Sequence, residues 1–119
     1  VIRATWSGTA VSDNDRLSHG KGGRFFANKE YVYFKETMAM VITRDRELGE
    51  LFGTSRVSVK LRVDLPPRMD TSAIIKAAGD AIQLSGAIND DNQIDRWVVE
   101  RVGRSLRGQS RIDFEIEEV

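Results

Sequence analysis

Apolar and polar residues alternate without a fault in RVSVKLRVDLPP, putting Val57, Val59, Leu61, Val63 and Leu65 on one face and Ser58, Lys60, Arg62 and Asp64 on the other. A period of two over this length predicts a half-buried strand. Pro66 and Pro67 end it, because neither can donate to a ladder. Upstream the period lengthens: Tyr31, Phe34, Met38, Val41 and Ile42 recur at steps of three and four, predicting a long amphipathic helix from Asn28 to about Phe52. Asn28 is its candidate N-cap and Gly53 its stop, and Met38 and Met40 read as core filler. A second helix is predicted from Asp70 to about Ser85, with Ile74, Ile75, Ala78 and Ile82 near one face, Asp70 or Ser72 as cap and Gly86 as stop. VIRATW reads as an early strand, and IDRWVVERV and RIDFEIEEV as two late ones joined in a hairpin through GRSLRGQSR. Gly20, Gly22 and Gly23, with His19, Lys21 and Arg24, form a flexible basic loop. Strand, helix, strand, helix, strand, strand is an α+β layout, two helices packed on a small mixed sheet.

Composition narrows this further. The 119 residues suit one domain over 1–119, and 40% apolar with 30% charged residues is the balance of a soluble globular chain. No apolar run reaches the roughly 18 residues of a membrane span. The chain has no cysteine, which excludes disulfides and thiolate metal sites and suits a cytoplasmic setting. VIRATW has no basic region followed by an apolar core, so no signal peptide is expected, and the missing initiator Met points to trimming or a tag. Net charge is zero but unevenly spread: residues 1–69 carry 12 Lys and Arg against 8 acids, and residues 70–119 carry 6 against 10. A polyanion on one surface and a divalent cation on another would suit that division.

The acids of the second half bracket the second predicted helix. Asp70 precedes it, and Asp90 and Asp91 follow it. A hard cation such as Mg²⁺ takes oxygen ligands and commonly one or two protein carboxylates, leaving its other positions to water and phosphate. The spacing allows these acids to converge at one sheet edge. It equally allows Asp70 to be a helix cap and Asn89 to Asn92 a polar turn.

The run Asp70, Lys76, Asp80-Ala81-Ile82, Gly86 and Asp90-Asp91-Asn92-Gln93-Ile94, with Asn14, Arg16, Gly23-Arg24, Tyr31 and Phe34 upstream, resembles the RusA-type Holliday junction resolvases. The resemblance spans nearly the whole chain. It implies a RusA-like α+β homodimer that nicks two opposing strands of a four-way DNA junction, matching a two-fold protein to a two-fold substrate. It implies Mg²⁺ or Mn²⁺ as cofactor, Asp70 and Asp91 as its ligands, and Lys76 as a catalytic group offsetting phosphate charge. It further implies a phage or prophage origin in a bacterial cytoplasm.

One departure from the family pattern alters the chemistry. Where the family has a second Asp and then Asn, this chain has Ser72 and Ala73. A hydroxyl is a poorer ligand than a carboxylate, so three explanations compete: Asp90 or water fills the place, nuclease activity is weakened or lost while junction binding persists, or the Asp was replaced by drift or selection. The family's basic run before the motif is thinned to Arg68. Phosphate contacts are therefore expected from Arg16, Lys21, Arg24, Lys29 and Arg68, with Arg101, Arg104, Arg107 and Arg111 as further candidates or as a solvated hairpin tip. Trp6 is expected in the core and Trp97 in the core or an interface. Lys76 and Asp80, four apart, read as a surface ion pair, or as a base oriented by its neighbour.

Overall fold

A computed structural model describes residues 1–19, 25–46 and 51–119, the side chains of Ser18, His19 and Phe25 excepted. Lys21 and Arg24, and with them most of the glycine-rich loop, lie outside the described residues. The alternating segment forms β4 (Val57–Leu65), whose five apolar side chains are all buried. β4 is central: the sheet order is β1-β6-β4-β5, with β1 at Ile2–Gly8, β5 at Ile94–Arg104 and β6 at Ser110–Glu118. β6 runs antiparallel to both β1 and β4, whereas β5 runs parallel to β4, so the sheet is mixed.

The expected hairpin between the last two strands does not form. β5 and β6 flank β4 on opposite sides, and the turn between them crosses its end, where the Ser105 N–H donates to the Leu65 carbonyl at 3.0 Å. The parallel β4–β5 pair requires a crossover, which α2 (Ile75–Leu84) supplies. On either side of the glycine-rich loop, Leu17–His19 (β2) and Phe25–Ala27 (β3) pair as a short ribbon.

α1 (Lys29–Asp45) begins at Asn28, whose side chain accepts the Glu30 N–H at 2.9 Å. It ends at Asp45, earlier than its periodicity predicts, because Arg46 is already extended and its guanidinium donates to the Ser85 carbonyl at 3.2 Å. Gly53, expected as the stop, instead adopts φ +58° in a parallel bridge to Ile88, next to a 2.8 Å bond from the Phe52 N–H to the Ala87 carbonyl. Both helices cover one sheet face. There Phe34, Met38 and Ile42 of α1 and Ile82 of α2 meet Ile2, Leu61 and Ile116 of the strands. Trp6 is buried as expected, tilted on Phe34 at 4.8 Å between centroids, with its indole N–H donating to Thr37 Oγ1 at 2.9 Å. Met40, expected in the core, is 67% exposed, since the α1 stripe that faces the sheet runs through Met38 and Ala39.

Candidate functional site

The start of α2 is fixed from far away in the sequence. Asp13, in a 3-10 turn at Asp13–Asp15, accepts the Lys76 N–H on Oδ2 and the Ala77 N–H on Oδ1, each at 3.0 Å. These are amides of the first helical turn, which lack intrahelical partners. Ile74, the residue at the cap position, has no side-chain oxygen to offer, so Asp13 does that work across the fold. The Tyr31 hydroxyl donates to the same Asp13 Oδ1 at 2.8 Å. Burial first, and then this bond to a carboxylate, push the Tyr31 phenol well above its ordinary pKa, so it stays a donor. Nothing near Asp13 in the sequence marks it as a cap, because the helix amides it accepts are more than sixty residues away.

Lys76 is exposed at this capped end of α2. Its expected ion pair with Asp80 is not the one that forms. Asp80 pairs with Lys35 of α1 at 3.4 Å, and the Lys35 ammonium also lies 5.2 Å from the centre of the Tyr31 ring. No described acid pairs with Lys76, which leaves its ammonium available to an outside anion.

Asp91 stands on the same side of α2, farther along. Gly79 leaves room for it: a Cβ at position 79 would sit 3.7 Å from the Asp91 Cβ, 3.8 Å from its Oδ2 and 3.5 Å from the Trp97 ring. Partial burial, then a hydrogen bond with Asp90, then the charges of Asp90 and Asp80 raise the Asp91 pKa; Lys76 opposes them. The turn that carries it is tied down. Asp90 accepts the Asn92 N–H at 3.0 Å, and buried Gln93 returns its Oε1 to the Asn89 and Asp90 amides at 2.8 and 2.9 Å. This capping box was legible as Asp-x-x-Gln. Asp90 is thus occupied as a cap, and Gln93 Nε2 anchors the turn to the Gly53 and Ser55 carbonyls.

Asp70 lies elsewhere. It occupies the cap position before the 3-10 turn Thr71–Ile74 but makes no side-chain cap bond. It lines a groove of about 570 Å³ with Arg68, Asn14, Asn28 and Arg107. The neighbouring Met69 carbonyl is held by Arg101, whose guanidinium also reaches the Leu65 and Gly103 carbonyls. Asp91 meets α2 beside Trp97 and is not among the residues that line the Asp70 groove. Among the described residues no three acidic or histidine side chains lie close enough to share an ion.

The expected phosphate contacts divide similarly. Arg68 and Arg107 share the Asp70 groove, Arg107 also meeting Glu30 at 3.5 Å, and Lys29 opens α1 beside Arg107 in an adjoining depression. Arg16 donates to the Asp13 carbonyl at 3.1 Å, so part of its guanidinium supports the capping turn. Arg101 is committed to backbone carbonyls.

The Endodeoxyribonuclease RusA family matches residues 8–117, which takes in every element from the end of β1 to β6. The chain belongs to the RusA family. No curated protein matches the sequence. RusA endodeoxyribonucleases resolve Holliday junctions by cutting DNA, so the partner of this fold is branched DNA and its chemistry is phosphodiester hydrolysis. The described chain has no helix long and apolar enough to cross a membrane.

Proposed function

We propose that this RusA relative nicks four-way DNA junctions with the help of Mg²⁺ or Mn²⁺, using Asp91, Lys76 and Asp70, in recombination within a bacterial cytoplasm. The observation that carries this reading is the placement of Asp91 and Lys76 along one side of α2. A carboxylate whose pKa is raised by burial and by neighbouring acids gains from a nearby cation. An unpaired ammonium on the same side suits phosphate. When bound, the ion would polarise the phosphodiester and acidify a water. Asp91 would hold it, with Asp90 able to contribute the carboxylate oxygen that its capping bond leaves free. Asp70 would supply a second carboxylate to the ion, and the protein would act as a homodimer.

Lys29, Arg68 and Arg107 border the grooves where the DNA backbone would run, each adding salt-dependent affinity without reading sequence. A second reading is favoured by Ser72. With no three-acid group among the described residues, a protein that binds junctions and cuts them weakly fits the same geometry.

A synthetic four-way junction, titrated with Mg²⁺ and Mn²⁺, distinguishes the two. Cation-dependent nicking that falls at least a hundredfold in Asp91→Asn and in Asp70→Asn supports the nuclease. Gel shifts without nicking at any cation concentration support the binding protein. Undiminished nicking by both variants removes these residues from the site. Mixing the two inactive variants tests whether the pair is shared: recovered nicking means that one acid comes from each copy, and no recovery means that both come from one.

A further inference from the structure

β5 is an edge strand eleven residues long, and no described strand pairs with its outer side. Such an edge presents a row of unpaired N–H and C=O groups and is ordinarily blunted by shortness, proline or inward charge. β5 has no proline, and its shifts of register against β4 fall near its two ends, which leaves Arg96 to Arg101 regular. On the sheet face away from the helices this stretch exposes Arg96, Val98 and Glu100, with Val102 beyond at 51% exposure.

We infer that β5 is the seam of a two-fold dimer, pairing antiparallel with β5 of a second copy about an axis through Val98. The order of residues selects this register. An axis through Val98 sets Val98 against Val98, Arg96 against Glu100 on both sides of it, Trp97 against Val99, and Ile94 against Val102. Shifting the axis by one residue sets Arg96 against a valine. Shifting it by two sets Arg96 against Arg96 or Glu100 against Glu100, and like charges directly opposite are unfavourable. Arg96 has no ion-pair partner among the described residues, and Glu100 has only a 3.9 Å contact with Lys60. A closed two-fold pairing is isologous, so it consumes both edges and cannot extend into a fibre.

This seam rests on the homodimer of the proposed function and gives it a surface.

The chain's lack of cysteine makes the register directly readable. Antiparallel neighbours lie 4.5–5.5 Å apart at Cα, within disulfide reach, so Val98→Cys on the axis is expected to cross-link two copies under mild oxidation. Val102→Cys, exposed on the same strand but facing Ile94, is expected to stay reduced. Sedimentation at tens of micromolar should show a native dimer, at least tenfold weaker dimerisation in Arg96→Glu and in Glu100→Arg, and recovery when the two reversals are combined. A native monomer, or a native dimer whose Val98→Cys thiols never close, overturns the seam. Neither readout involves DNA cleavage, so a cross-linked dimer that nicks no junction would refute the nuclease and leave the seam standing.

Discussion

The Asp13 carboxylate receives the backbone N–H of Lys76 at 3.0 Å, joining the turn after β1 to the start of the helix that carries the proposed phosphate-facing lysine. Asp13→Ala removes this cap and the acceptor of Tyr31 together. A lost cap costs about 1 kcal/mol and an orphaned partly buried hydroxyl a similar amount, so chemical denaturation should show a loss of about 2 kcal/mol. Asp13→Asn keeps one acceptor oxygen and should recover part of that loss. A variant as stable as the native chain would mean that α2 needs no outside cap.

Asp91 predicts an opposite trend between stability and activity. Its pKa is raised on folding, so below the unfolded value both states are protonated and its contribution is at its most favourable. As pH rises through the interval up to the folded value the folded state binds more protons than the unfolded one. Stability from this group therefore declines across that interval, and above it Asp91 is a net cost. Asp91→Asn should melt slightly higher than the native protein at neutral pH while losing nicking. Thermal melts that are equal at pH 7 and diverge at pH 3 would reverse the sign. Added Mg²⁺ should raise the native melting temperature and leave Asp91→Asn unmoved.

Gly103 presses on Asp64. A Cβ there would lie 2.9 Å from the Asp64 Cγ and Oδ2, and the Asp64 Oδ1 is buried with no hydrogen-bond partner. Gly103→Ala should destabilise the fold by about 1–3 kcal/mol through overpacking at the β4–β5 contact. Adding Asp64→Ala should restore most of that stability, and a double variant worse than the single one would place the strain elsewhere.

Ser72 tests the lost carboxylate. It is exposed at the start of the turn leading into α2, where an added acid meets the positive end of the helix. Ser72→Asp should raise junction nicking at limiting Mg²⁺ by tenfold or more. Unchanged nicking over a full cation titration would remove the missing Asp as the cause of any weakness.

Elements whose stability is local were legible in the sequence. β4 announced itself by perfect alternation, the start of α1 by Asn28 and the end of α2 by Gly86, whose φ is +80°. What joins distant segments was not. The position of β4 between β5 and β6 is a choice among pairings that alternation cannot rank. The end of α1 is set by Arg46 reaching Ser85, and the cap of α2 by Asp13, neither of which leaves a mark in nearby residues. For the site, the family resemblance and not residue spacing singled out Lys76 and Asp91, and the fold places them on one side of α2. The surroundings of Asp70 depend on the parallel pairing of β4 with β5, which puts the end of one strand and the start of the next at opposite ends of the sheet and which spacing alone does not reveal.

The strand order also governs when the protein can fold during synthesis. Among the described strands β1 has only β6 as a sheet partner, and β4 finds both of its neighbours among residues that emerge later. The sheet must therefore wait on the ribosome for its final strand, with β1 and one side of β4 unsatisfied until then. A stop codon just before Ser110 would strand the two segments it was meant to unite, and a translational pause at any point between β4 and β6 would prolong the exposure of both.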